Sequence, residues 1–186
     1  MYQNRNKQLE VINLFRGDYK SRFYLRQISK LTKIPLKTCQ NVLASLEENK
    51  LLKSKVEGKN KYFSLNLDNI QTKSFLLQAE IYSTDLFLEK YPSFRLFLKD
   101  LNNNGLIVIF GSFAKFNAKK DSDIDLLVVG KDKLPEHLLS FKIHKVNLTE
   151  ANFIKAISTQ ESLIKEIEEN HTILNNHSSY VNLMWN

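Results

Sequence analysis

"LIVIFGSFAKFNAKKDSDIDLLVV", residues 106–129, is the stretch on which the reading of this chain turns. Its two apolar runs, 106–110 and 124–129, are short, continuous and bounded by turn residues, the pattern of strands buried in a sheet. Where the second run begins, Asp121, Asp123 and Asp125 fall within five positions. Side chains along a strand alternate faces, so Asp123 and Asp125 point the same way while Ile124 and Leu126 point into the core. Two carboxylates about 7 Å apart on one edge repel each other unless a cation sits between them. Hard divalent cations such as Mg²⁺ prefer oxygen ligands of this kind. Upstream, the first strand ends at Gly111, where a backbone can approach a ligand closely. Ser112 is then placed to cap a short helix whose amides favour an anion. A phosphate-binding turn beside a metal-holding acid pair is the equipment for nucleotidyl transfer.

The charge of the whole chain, +7 over 186 residues, becomes informative once divided. Residues 1–68 hold 14 Lys/Arg against 6 Asp/Glu, a net of +8, and the other 118 hold 13 against 14, a net of −1. The basic excess therefore lies in the first third, as expected of an N-terminal module that meets a polyanion, followed by a near-neutral second module. Cys39 is the only cysteine, so a disulfide framework is excluded, and its expected role is that of a small buried hydrophobe. The first residues lack the apolar run of a secretory signal and no stretch approaches the length of a membrane span, so a soluble cytoplasmic protein is expected.

Outward from the central stretch, Leu9, Ile12 and Phe15 recur at helical spacing over 5–16, and Gly17 stops that helix. A helix over 24–31 is expected to turn Leu25, Ile28 and Leu31 inward. One over 36–49 carries the i, i+3, i+4, i+7 stripe Cys39, Val42, Leu43 and Leu46. "LLKSKVEGKNKYFSLN" reads as a hairpin turning at Gly58-Lys59-Asn60. Residues 70–91 form a long amphipathic helix, Pro92 suits the first turn of another, and that one ends at the asparagines 102–104. "FKIHKVNL" is a further strand candidate. A helix over 151–169, "HTIL" and a final short element ending at Trp185 complete the chain.

Residues 20–66 resemble the winged helix-turn-helix superfamily, most of all in the passage "LASLEENKLLKSKVEGKNKYFSLN". With the 36–49 stripe buried, the same helix turns Lys37, Thr38, Gln40, Asn41 and Ser45 outward, side chains suited to base edges in a major groove. Lys53, Lys55, Lys59 and Lys61 decorate the wing, where they would hold phosphates without reading sequence. A solvated face used for protein contacts is the competing reading.

Gly111-Ser112, ten residues, and then Asp123-Ile124-Asp125-Leu126 resemble the motif of the polymerase-beta nucleotidyltransferase superfamily, and most closely its minimal nucleotidyltransferases. The resemblance implies that Gly111 and Ser112 hold the triphosphate of an NTP, assisted by Lys115 and Lys119. It implies that Asp123 and Asp125 ligate Mg²⁺ or Mn²⁺ for transfer of a nucleoside monophosphate. Lys120 is either a further phosphate contact or a solvated turn residue, and Asp121 and Ser122 shape the turn. Active members usually add a third carboxylate from a later strand. Here the position aligned with it is Asn147, with Glu150 as a substitute in another register, and Asp132 and Glu136 in the intervening loop. His144 lies near that strand as a lone histidine, and His137, His171 and His177 show no metal-ligand spacing.

The expected architecture is α+β: a winged helix-turn-helix over 1–68, connecting helices over 69–104, and a small mixed β-sheet nucleotidyltransferase-like domain with flanking helices over 105–186. Expected partners are double-stranded DNA, an NTP and an acceptor, which by resemblance to antitoxin-like members extends to a partner protein. The 70–91 helix offers enough apolar positions for a homodimer interface, or for packing on its own domains. The alternative to an enzyme is a transcriptional regulator whose second domain binds nucleotide or is catalytically inactive.

Overall fold

A computed structural model describes residues 2–101, 105–130 and 133–185, and the chain divides into two compact units. One runs to Ala79 and takes in Trp185; the other runs from Glu80 to Met184. The asparagines 102–104, and Asp132 in the expected loop, lie outside the described residues.

In the first unit the order is α1 (Tyr2–Asn13), β1 (Phe23–Tyr24), α2 (Leu25–Thr32), α3 (Leu36–Glu48), β2 (Leu52–Glu57) and β3 (Asn60–Leu65). All four residues of the α3 stripe are buried, together with Ile12, Phe15 and Ile28. The chain leaves α3 through Lys50 at φ 57°, while the Leu51 amide donates to the Leu46 carbonyl at 2.9 Å. This closure satisfies a helix-end carbonyl and aims the backbone into β2. β2 and β3 pair antiparallel from Leu52 opposite Leu65 to Glu57 opposite Asn60, around Gly58 at φ +60°. β1 joins the free edge of β3, an addition too short to leave a periodic signal. One inward expectation fails: Leu31 is 55% exposed. At about 100° per residue, a spacing of three drifts by about 60° each step, so Leu31 lies well round the helix from Leu25.

The second unit takes the later half of α4 (Ile70–Lys90), then α5 (Phe94–Lys99), β4 (Leu106–Phe110), α6 (Gly111–Ala114), β5 (Ile124–Val129), β6 (Ile143–Leu148), α7 (Glu150–Thr159), α8 (Ser162–Glu169), β7 (Thr172–Asn175) and α9 (His177–Met184). Its sheet has the order β6-β5-β4-β7 and is mixed, since β6 runs parallel to β5 while the other pairs are antiparallel. Every residue of β4 is buried, because both faces are covered. Ile107, Ile109, Ile124, Leu126 and Val128 pack with Phe87, Phe94, Phe97 and Phe113 on one side. Leu106, Val108, Phe110, Leu127 and Val129 pack with Phe153, Ile164, Ile167 and Tyr180 on the other.

The single helix expected over 151–169 is two. Gln160 takes φ 52° and the Glu161 amide reaches back to the Ala156 carbonyl at 3.2 Å, ending α7 with the left-handed closure that ends α3. The fully buried Glu80 of α4 meets His171, whose Nε2 lies 3.1 Å from Oε1. The other ring nitrogen, Nδ1, donates to the Ile167 carbonyl at 2.8 Å, since a carbonyl can only accept.

Candidate functional site

β4 ends at Phe110 and the chain turns at once through Gly111, at φ +66°. A Cβ on this residue would lie 2.1 Å from Oδ2 of Asp125, 3.0 Å from its Cγ and 3.3 Å from its Cβ. Glycine is therefore required twice, for the left-handed backbone and for the carboxylate that presses against it. The sheet explains the approach: Phe110 of β4 is the register partner of Asp125 on β5. Because Gly111 makes the turn, α6 starts there and its N-cap is Phe110, with no side-chain cap. The expected capping role of Ser112 is corrected accordingly. Ser112 lies inside the turn, half-buried, and its carbonyl accepts from the Asn117 amide at 3.1 Å.

Asp123 stands one residue before β5 and Asp125 one residue into it, both half-buried. They share a strand face, as alternation requires. Lys115, Lys119 and Lys120 are exposed; the Lys119 amide donates to the Ser122 hydroxyl oxygen at 2.9 Å, which makes Ser122 a turn former.

The strand beside the aspartates departs from the expected alignment. In the parallel register of β5 and β6, Asp125 is paired with His144 and Val128 with Asn147. Asn147 thus belongs to the opposite face of the sheet from Asp125. Glu150 does not reach the acids either: it follows the end of β6, and Leu148 is four steps along the strand from His144, about 13 Å at 3.3 Å each. Glu136 is bound by Lys145 at 2.6 Å, and Lys145 is the register partner of Leu126, again on the other face. What β6 brings to the acids is a base and a cation. His144 Nδ1 lies 3.3 Å from Oδ1 of Asp125, and Lys142 Nζ lies 3.4 Å from Oδ2 of Asp123. The Ile124 amide donates to the Lys142 carbonyl at 2.8 Å, extending the ladder to this point. Lys142 escaped the sequence reading. The signal was present, since Lys142-x-His144 repeats the two-residue period of Asp123-x-Asp125.

Residues 92–177 match the family model described as a nucleotidyltransferase domain. The chain therefore carries a nucleotidyltransferase domain, and the Gly111 turn, the two aspartates and β6 all fall inside the matched segment. No curated protein and no solved structure matches the chain. Such domains generally work with an NTP and a divalent cation. Asp123 and Asp125 offer oxygen donors of the kind such a cation prefers, and phosphate oxygens and water would have to complete its coordination. Among the described residues no group of three or more His, Cys, Asp and Glu side chains is arranged to hold a metal by itself.

In the first unit, Lys37, Gln40 and Asn41 are exposed on α3 at i, i+3 and i+4. Thr38 and Ser45 are half-buried and line a shallow pocket with Gln8, Asn41 and Val42. Gln8 of α1 donates to the Ser45 hydroxyl at 3.2 Å, so the outward expectation for Ser45 is corrected: α1 covers it. On the hairpin, Lys53 pairs with Asp68, Lys55 with Glu57 at 3.3 Å and Lys61 with Glu47 at 2.7 Å. Lys59, beside the turn glycine, has no such ion pair among the described residues. No helix among the described residues is long and apolar enough to cross a membrane.

Proposed function

We propose that the second unit binds an NTP with one divalent cation and transfers its nucleoside monophosphate to an acceptor hydroxyl. The observation that carries this reading is the contact of Gly111 with Asp125, which sets an acid pair directly against a backbone turn suited to phosphate. In the reaction the acceptor oxygen forms a bond to the α-phosphorus, the bond to the bridging oxygen breaks, pyrophosphate leaves and the hydroxyl proton goes to solvent. Asp123 and Asp125 hold the cation, which supplies charge neutralisation at the phosphates. Gly111 and Ser112 hold the triphosphate through their backbone, with Lys115 and Lys119 within the same exposed turn. The resemblance to antitoxin-like minimal nucleotidyltransferases extends the range of acceptors to a partner protein.

A second reading is favoured by β6. With His144 and Lys142 beside the acids and no carboxylate on β6, the domain binds nucleotide as a signal without turning it over. Both readings share a first unit that we infer to be a winged helix-turn-helix binding double-stranded DNA through Lys37, Gln40, Asn41 and the hairpin lysines. The support is the net charge of +8 over residues 1–68 and the order of three helices followed by a hairpin.

Calorimetric titration of each NTP with Mg²⁺ or Mn²⁺, into wild type and the Asp123→Asn/Asp125→Asn variant, tests the site. Cation-dependent binding lost in the variant is expected; absence of binding by every NTP would remove both readings. Incubation with NTP labelled at the α-phosphate then separates them, because only transfer leaves label on an acceptor.

A further inference from the structure

The face that carries Asp123 and Asp125 is completed by β6, and the two residues that β6 contributes weaken its negative charge. Two carboxylates alone would present two negative charges. Lys142 at 3.4 Å from one carboxylate cancels half of that, and His144 at 3.3 Å from the other adds none in either protonation state. Two-metal sites place their cations about 3.5–4 Å apart and need carboxylates enough to offset four positive charges in that space. Here the neighbouring strand supplies nitrogen where such an offset would have to come from. Of the other acids, Glu136 is held by Lys145 on the opposite face, Glu150 lies beyond the far end of β6, and Asp121 is exposed in the turn two residues before Asp123.

We propose that this site holds a single divalent cation and that the Lys142 ammonium, a cation fixed to the protein, occupies the ground of a second. The inference rests on the nucleotide-binding reading given above and refines it. A lysine serves phosphate as a compact point charge with three donors. The Lys142 side chain is 82% exposed, so its stem is free to leave Asp123 for a phosphate oxygen when the nucleotide brings its own cation to the carboxylates. Without nucleotide, the ammonium competes with any divalent cation for Asp123. The site is thereby made dependent on the nucleotide for its metal: a free cation is opposed, and a cation arriving with a triphosphate is accepted.

The test counts bound Mn²⁺ on the full chain by electron paramagnetic resonance of the free ion, with and without an NTP whose α,β-bridge is methylene. Wild type is expected to bind Mn²⁺ poorly alone and one ion per chain with the analogue. Lys142→Ala is expected to raise the affinity for Mn²⁺ alone by about tenfold, from the removal of one positive charge at this distance. Lys142→Ala/His144→Asp is expected to take up a second ion with the analogue. Both substitutions are at exposed positions, and a matching circular dichroism spectrum shows that the variants are folded. Two ions in wild type, or variants that match wild type in count and affinity, would overturn the proposal. Failure of the analogue to bind any of the proteins removes the nucleotide reading instead, and the Mn²⁺-alone comparison of wild type with Lys142→Ala still decides the role of the lysine.

Discussion

Replacing Gly111 by alanine perturbs both the backbone and the acid pair, and the two costs can be separated. The residue sits at φ +66°, where a Cβ meets its own carbonyl and costs about 1–2 kcal/mol. The same Cβ would stand 2.1 Å from Oδ2 of Asp125 and 3.0 Å from its Cγ, so the carboxyl group must be driven aside. Overpacking of this kind typically costs about 1–3 kcal/mol. Gly111→Ala is therefore expected to cost about 2–5 kcal/mol in all. In an Asp125→Ala background the carboxyl group is gone and mainly the backbone part remains, so the coupling between the two sites is about 1–3 kcal/mol. Urea unfolding of the four proteins of the cycle measures it. Amide exchange in β4 and β5 assigns the loss to the second unit, since a chain of two units need not unfold in one step. An equal cost of Gly111→Ala in both backgrounds would refute the account of this glycine as the seat of Asp125. Cation-dependent NTP binding should fall with Gly111→Ala even at temperatures where the protein remains folded.

Three further outcomes are expected. Glu80→Ala leaves the buried His171 without its carboxylate and should cost about 3–5 kcal/mol in urea unfolding, with Glu80→Gln costing less. The Lys61 ammonium and the Ser54 hydroxyl hold the Glu47 carboxyl below the ordinary glutamate value of 4.5. Its stabilisation is then complete above that pH and lost as pH falls through the lowered value. Solvent screening limits it to about 1 kcal/mol or less, read as the difference between wild type and Glu47→Gln at pH 7 that shrinks as pH falls below 4.5. For DNA, each phosphate-contacting lysine removed should flatten the plot of log K against log[salt] by about 0.9, and Lys37→Gln/Lys59→Gln should do so twice over. An unchanged slope would show that neither ammonium meets a phosphate.

Much of this protein was legible along the chain. The α3 stripe, the Gly58 hairpin and the strands 106–110 and 124–129 each declare themselves through a local period and a turn residue, and those are properties of neighbouring positions. Asp123 and Asp125 share a face for the same reason: alternation needs no knowledge of what lies beside the strand. The break at Gln160 was not legible, because a non-glycine residue took the left-handed position. Leu31 misled because a three-residue spacing resembles a helical stripe over one turn and leaves it over two.

What the amino-acid order could not decide is which residue of β6 stands beside Asp125. Parallel strands are joined by a long connection, so their register is set by how the two faces pack and not by any turn, and a slip of one residue exchanges the faces. Alignment by position alone put Asn147 beside the acids. Packing of Ile143 against the core that holds Ile124 and Leu126 puts His144 and Lys142 there instead. The sequence by itself determined that an acid pair sits against a glycine turn; the tertiary structure decided that His144 and Lys142 of β6 stand beside it.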